Sequence, residues 1–123
     1  MTLRERLRTV NDRRVSKLHI PQWGCDVHLR ELSAAQRDIF ELHWLSRQDR
    51  NGEQSRAMIA AMALVEEDGT PVYQELGEGI LDLMNKNGEA LSLISAHVMR
   101  DNKFWETGAE EVAKNSAGDQ PAS

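Results

Sequence analysis

Four histidines and one cysteine are the side chains of this 123-residue chain best suited to catalysis or metal binding. A thiol nucleophile must ionise, but Cys25 precedes Asp26, whose negative charge disfavours a thiolate. The alternating pattern instead predicts that Cys25 lies on the inward face of a strand, together with Val27 and Leu29. We therefore predict that Cys25 is structural and not catalytic.

The histidines lack the spacing of a metal site. None belongs to an H-E-x-x-H pattern, and there is no second cysteine to complete a ligand set. His19 and His28 could face each other across the outer side of a hairpin and bind a metal together. A solvent-facing cross-strand pair explains the same spacing more simply. We expect no metal site, no cofactor and no catalytic residues.

Two glycine-containing segments match ligand-binding motifs only in part. Gly77-Glu78-Gly79 begins like a dinucleotide fingerprint, but Asp82 occupies the third glycine position. Glu66–Gly69 is acidic without the ligand spacing of a calcium loop. Both segments are expected to be structural, and the chain is predicted not to be an enzyme.

The N-terminal third has the pattern of a β-hairpin followed by a helix. Two runs of alternating apolar residues flank the turn Pro21–Gly24, which is typical of a hairpin. Trp23 at the tip is expected either to pack under the hairpin or to be exposed as a partner anchor. Ser33 and Gln36 then have the spacing of a capping box, which predicts the start of a helix at Ala34.

The rest of the chain is predicted to be helical. A 3.6-residue period or an apolar run indicates helices at 34–46, 53–66, 80–85, 89–100 and 109–115. The segment 72–79 is ambiguous, because Gly77 and Gly79 weaken a helix. Phe104 and Trp105 are expected to pack onto the core. The predicted class is therefore α+β, mainly α, with an N-terminal hairpin followed by a bundle of four to five helices.

Length and charge bound the organisation. We expect a charged arm at 1–14, one domain at 15–115 and a disordered tail at 116–123. The net charge of −5 disfavours nucleic-acid binding by the whole molecule. The N-terminus has no apolar signal segment, and no apolar run is long enough to span a membrane, so a soluble intracellular protein is expected.

The N-terminal segment is unusual because it is basic in an acidic chain. Residues 1–17 contain six basic and two acidic side chains, and Leu3, Leu7 and Val10 have helical spacing. Three interpretations remain open: a solvated arm, a helix that docks on a partner through Arg4 and Arg8, or a nucleic-acid contact. The arm has no aromatic residues for base stacking, which disfavours the last.

In order and spacing, these segments resemble the tail assembly chaperones of long-tailed, siphovirus-type phages and prophages. Ile20–Gly24 matches the hairpin motif I-P-E-W-G, and Arg30–Asp38 matches the motif R-E-L-S-A-A-E-R-D that opens the helical body. Gln22 and Gln36 replace glutamates that are common in the family. Further similarity lies in three later segments, Glu66–Gly69, Gly88–Leu91 and Ala109–Ser116.

The resemblance implies a function in phage tail morphogenesis. Such chaperones bind the tape-measure protein in the host cytoplasm, keep it soluble and recruit tail-tube proteins, and they are absent from the mature virion. It also implies a longer, frameshifted form of the protein as a partner, and association with further copies is a separate expectation.

An apolar groove on this protein could cover the apolar stripes of a helical partner, and adaptable methionine side chains suit such a groove. The candidate groove residues are Ile39, Trp44, Met58, Met62, Leu91 and Ile94, and the alternative is that they form the domain's own core. The second functional hypothesis is a small regulatory or nucleic-acid-associated protein that acts through its basic arm.

Overall fold

The structure is a computed structural model that describes residues 1–46 and 53–104. Within these ranges it contains five α-helices and one three-stranded antiparallel sheet, which confirms the predicted, mainly helical α+β class. Several predicted features lie outside the described residues: the loop at 48–52, Trp105, the helix at 109–115, the tail at 116–123 and the side chain of Trp44.

The predicted hairpin is confirmed. Strands β1 (Val15–Ile20) and β2 (Cys25–Arg30) are antiparallel, with Leu18 opposite Val27. The N–H groups of Trp23 and Gly24 both donate to the Ile20 carbonyl at 3.0 Å, which closes the turn. Gly24 has φ +64°, a left-handed conformation that favours glycine.

Two details of the hairpin differ from expectation. Cys25 is exposed, because burial along β2 begins only after the turn and is complete at Leu29. The prediction of an inward cysteine was therefore wrong. His19 lies opposite Asp26 in the register, and their Nδ1 and Oδ1 atoms are 2.8 Å apart. His28 lies opposite Lys17, so the two histidines are not a directly facing pair.

A third strand was not predicted. Helix α3 (Glu53–Ala63) ends before strand β3 (Leu64–Val65), which pairs with β2 and places Leu64 opposite Leu29. The predicted continuation of the helix to Glu66 was therefore wrong. The backbone groups of β3 complete the sheet instead, and the Val72 N–H donates to the Leu64 carbonyl at 3.1 Å.

Helix α2 (Ala34–Ser46) begins as the capping box predicted. The Gln36 N–H donates to Ser33 Oγ at 3.1 Å, and the Ser33 N–H donates to Gln36 Oε1 at 3.0 Å. These reciprocal bonds satisfy two of the backbone donors that a helix N-terminus otherwise leaves unpaired.

The last two described helices are α4 (Leu76–Leu83) and α5 (Gly88–Asp101). Helix α4 begins four residues before the predicted start at Ile80. Packing explains the difference, because Gly79 lies against α3 so closely that a Cβ there would be 2.8 Å from the Ala61 Cβ. A glycine that lowers intrinsic helix propensity is here the residue that lets two helices approach.

The core surrounds α3, in which residues 57–63 are all buried. Phe104 is buried and its ring meets Phe40 edge-on, with centroids 5.5 Å apart. The Arg37 guanidinium lies 4.4 Å from the centroid of the Phe104 ring. These contacts join the end of α5 to α2 and confirm the expected packing of Phe104.

Candidate partner-binding surface

Four of the predicted partner-binding residues lie inside the protein. Met58, Met62, Leu91 and Ile94 each belong to the buried core, and Ile94 is 0 % exposed. Their burial means that the four residues form no shared open groove, although Met62 and Leu91 each line a separate cavity. Their position agrees with the alternative that the sequence left open, namely the domain's own core.

An exposed pair of apolar side chains lies on the N-terminal helix. Helix α1 (Leu3–Thr9) begins with a capping box between Thr2 and Glu5, and none of its residues is buried. Leu3 and Leu7 are 70 % and 65 % exposed. A seven-residue helix is marginally stable in water on its own, and none of the residues of α1 is buried against the rest of the domain. We call Leu3 and Leu7 on α1, together with the exposed C-cap residue Val10, the α1 stripe, and it is available to a partner.

Basic side chains flank the α1 stripe. Arg4, Arg6 and Arg8 are all exposed, and Arg6 and Arg8 lie in the last turn, where a positive charge complements the helix dipole. The helix thus offers leucines and arginines together, which suits a partner with an acidic, apolar surface.

Two arginines after α1 attach the arm to the body. The Arg14 N–H donates to Glu31 Oε1 at 2.9 Å, and Arg14 Nη2 is 3.1 Å from Glu31 Oε2. Arg13 Nε donates to the Glu31 carbonyl at 2.8 Å. The Glu31 N–H completes the connection by donating to the Arg14 carbonyl at 2.9 Å. The arm is therefore held at its C-terminal end, while α1 lies apart.

This attachment predicts a pH dependence of stability. The pKa of Glu31 is lowered, chiefly because the Arg14 N–H donates to its carboxylate. A carboxylate with a depressed pKa stabilises the fold above its ordinary pKa of 4.5, and this contribution is lost as pH falls through the folded value. Glu31→Gln should therefore cost about 1 kcal/mol at pH 7 and less at pH 3. Urea unfolding at both values measures the difference, and an equal cost at both would contradict the prediction.

Trp23 is half-buried and packs against the core. Its ring also lines a cleft of about 460 Å³, the Trp23 cleft, together with Val27, Leu64, Val72, Tyr73, Leu83 and Lys86. The predicted alternatives for Trp23 therefore both describe part of its position. One side of the residue contacts the interior, and another forms the wall of an apolar cleft that a partner side chain could enter.

A second cavity, of about 280 Å³, brings together residues distant in sequence. Arg13 and Arg30 supply its charge, and its apolar wall includes Ile39, Met62 and Leu76. We call it the arginine cavity. Ile39 is 47 % exposed at its edge, so this is where the structure joins two of the predicted groove residues, Ile39 and Met62. No local sequence pattern indicates this cavity, because Arg13 lies before β1 and Arg30 lies at the end of β2.

A serine, a histidine and an aspartate also meet, but not as a catalytic relay. The Ser16 hydroxyl donates to Asp101 Oδ2 at 2.8 Å, and Ser16 Oγ is 2.8 Å from His97 Nε2. Asp101 Oδ2 is 3.1 Å from the same ring nitrogen. In a catalytic triad the carboxylate instead holds the other nitrogen of the ring. The cluster therefore joins β1 to α5, and only the i,i+4 spacing of His97 and Asp101 was visible in the sequence.

Two other kinds of site have no candidates in the part of the chain that the structure describes. No three histidine, cysteine, aspartate or glutamate side chains converge as metal ligands among residues 1–46 and 53–104. Within the same ranges, no helix has the length and hydropathy needed to cross a membrane.

The fold is similar to a solved structure, that of the bacteriophage HK97 tail assembly chaperone. The TM-score is 0.57 and the sequence identity is 17 %. The match covers 78 % of this chain and 94 % of that chain. Neither the family models nor the curated protein sequences contain a match. The structural likeness shows that this chain shares the fold of that protein.

Proposed function

We propose that this protein is a phage tail assembly chaperone that binds the tape-measure protein, keeps it soluble and helps to recruit tail-tube subunits. The fold carries the proposal, because the match extends over 94 % of the HK97 chaperone. The segments Ile20–Gly24 and Arg30–Asp38, which carry the sequence resemblance, form the turn of the hairpin and the start of the capped helix. The protein would act in the host cytoplasm as a binding protein and not as an enzyme.

The surfaces that suit a helical client are the α1 stripe and the Trp23 cleft. A long helical client presents apolar stripes that must be covered to stay soluble, and an amphipathic helix or an apolar cleft can cover them. Leu3 and Leu7 stabilise the folded domain little because they are exposed. Several chaperone copies along one client would add avidity to weak individual contacts. Copies of this chain and a longer, frameshifted form remain expected partners.

The first test is co-expression with the tape-measure protein encoded in the same gene cluster, followed by pull-down and a solubility assay. We expect a soluble complex that precipitates when the chaperone is omitted. The double variant Leu3→Ser/Leu7→Ser should weaken client binding about tenfold or more, because two apolar contacts are lost. A tape-measure protein that is equally soluble alone, and that forms no complex, would contradict the proposal.

A matched control distinguishes the α1 stripe from general surface hydrophobicity. Leu81 on α4 is 69 % exposed, almost as much as Leu3, and Leu81→Ser should leave the complex intact. The variant Arg4→Gln/Arg8→Gln tests the basic face. If that variant abolishes a salt-sensitive binding to DNA or RNA while no client complex exists, the nucleic-acid hypothesis replaces the chaperone.

A further inference from the structure

The arginine cavity has a charge that the described residues do not neutralise. Arg30 Nε is buried without a hydrogen-bond partner in the described chain. Arg13 is oriented by two neutral oxygens, since its Nε donates to the Glu31 carbonyl at 2.8 Å and its Nη2 donates to Gln36 Oε1 at 2.9 Å. Among the side chains that the structure describes, those of residues 1–43 and 54–104, no carboxylate lies within 4.0 Å of either guanidinium. An unpaired buried donor normally costs free energy, so the cavity favours an added acceptor.

The two guanidiniums also act on each other. The pKa of Arg13 is lowered, first by burial and then by the positive charge of Arg30, and Asp12 offsets only part of this effect. Gln36 fixes the arrangement, because its Nε2 donates to the Met62 carbonyl at 3.2 Å while its Oε1 accepts from Arg13. The Arg13 guanidinium is therefore held in place before any ligand arrives.

The shape and lining of the cavity indicate the ligand class. Guanidinium groups match the planar geometry of a carboxylate and can bind it with two parallel hydrogen bonds. The apolar wall of Met62 and Leu76 continues to Ile39, which is 47 % exposed on α2. A free inorganic anion would leave this apolar wall unused, whereas an apolar residue next to an acidic one would cover it.

We propose that the arginine cavity binds the carboxylate of a glutamate or aspartate side chain carried on an apolar peptide segment of a partner protein. The acid would accept hydrogen bonds from Arg30 and Arg13, and a neighbouring apolar residue would pack on Ile39. The inference goes beyond the chaperone function and does not depend on it, since it specifies the chemistry of a bound segment and not its source.

The test uses the full-length, 15N-labelled protein and two capped synthetic peptides. One is acetyl-Leu-Ala-Glu-Ala-Leu-amide, and the other has glutamine in place of glutamate. NMR spectra report the Nε–H signals of Arg13 and Arg30, assigned with the variants Arg13→Met and Arg30→Met. We expect the glutamate peptide to shift both signals and to bind about tenfold tighter or more than the glutamine peptide. Equal binding of the two peptides would overturn the proposal.

Matched variants and a free anion complete the experiment. Arg30→Met keeps an apolar stem and should abolish binding of the glutamate peptide, whereas Arg100→Met on the exposed side of α5 should not. Ile39→Ser leaves both arginines in place and should weaken binding of the glutamate peptide several-fold. Acetate, a free carboxylate without an apolar neighbour, should cause the same shifts in this variant as in the unchanged protein. If inorganic phosphate binds as tightly as the glutamate peptide and Ile39→Ser has no effect, the cavity is a free-anion site and the peptide proposal fails. None of these measurements involves a tape-measure protein, so their failure leaves the chaperone function unaffected.

Discussion

Replacing Gly79 with alanine should lower the free energy of unfolding by about 2 kcal/mol. A Cβ at this position would lie 2.8 Å from the Ala61 Cβ and 2.9 Å from the Tyr73 ring. Neither neighbour is the free end of a flexible side chain, because one belongs to α3 and the other is an aromatic ring packed on the core. Helix α4 must therefore move away from α3, and urea unfolding monitored by circular dichroism measures the cost.

Gly77 provides a matched control on the same helix. A Cβ there would have no neighbouring atom within 4 Å, so the substitution adds no clash. Gly77→Ala should raise the free energy of unfolding by about 0.5–1 kcal/mol, because alanine has the higher helix propensity. Alanine is thus expected to lower the free energy of unfolding at position 79 and to raise it at position 77. A stabilised Gly79→Ala protein would show that α3 and α4 do not pack as closely as the structure places them.

Gly79 also links the packing of α4 to both candidate binding sites. Tyr73 lines the Trp23 cleft and the arginine cavity, so displacing its ring changes both. The Tyr73 hydroxyl donates to Asp82 on α4, and burial together with this bond raises the pKa of Tyr73 to about 12. A substitution that separates the two helices therefore disturbs the surface that the proposals assign to partners.

Local sequence signals were sufficient for the hairpin and the start of α2. The alternation around Pro21–Gly24 and the pair Ser33 and Gln36 act over a few residues, so their structural meaning does not depend on the rest of the chain. The family resemblance was carried by the same segments. For this reason, the fold class was predictable from the first third of the sequence together with the helical periods that follow.

Features that depend on distant contacts were not predictable. Leu64 and Val65 continue an apolar helical run, and only the unpaired edge of β2 makes them a strand. The early start of α4 depends on the fit of Gly79 against α3. The arginine cavity joins Arg13 to Arg30 through the fold, and single-sequence patterns contain no record of that proximity.

The sequence could not distinguish partner-binding residues from core residues either. An apolar residue on a helix has the same sequence signature whether it faces the core or a client, so Met58, Met62, Leu91 and Ile94 fitted both interpretations. Their burial in the structure places them in the core. By contrast, Leu3 and Leu7 have the same chemistry but no interior to join, which makes α1 the better candidate for a client contact.

Ile94→Ala should therefore act on stability before it acts on binding. Ile94 is 0 % exposed, and truncating it leaves a cavity between α5 and its neighbours. Such substitutions lower the free energy of unfolding by about 2–5 kcal/mol, a large part of the 5–15 kcal/mol or so that holds a typical domain together. Thermal and urea unfolding of the purified protein, without any client, measures this cost.

A variant of the neighbouring Leu93 is the control that distinguishes a core position from a groove position. Leu93 is 41 % exposed on the same helix, so Leu93→Ala should change the free energy of unfolding by no more than about 0.5 kcal/mol. If Ile94 instead formed a groove open to the client, its truncation would reduce client binding and leave the unfolding transition of the free protein almost unchanged. A large loss of stability for Ile94→Ala alone would mean that this helix face serves the fold, and that client contacts must come from the exposed surfaces.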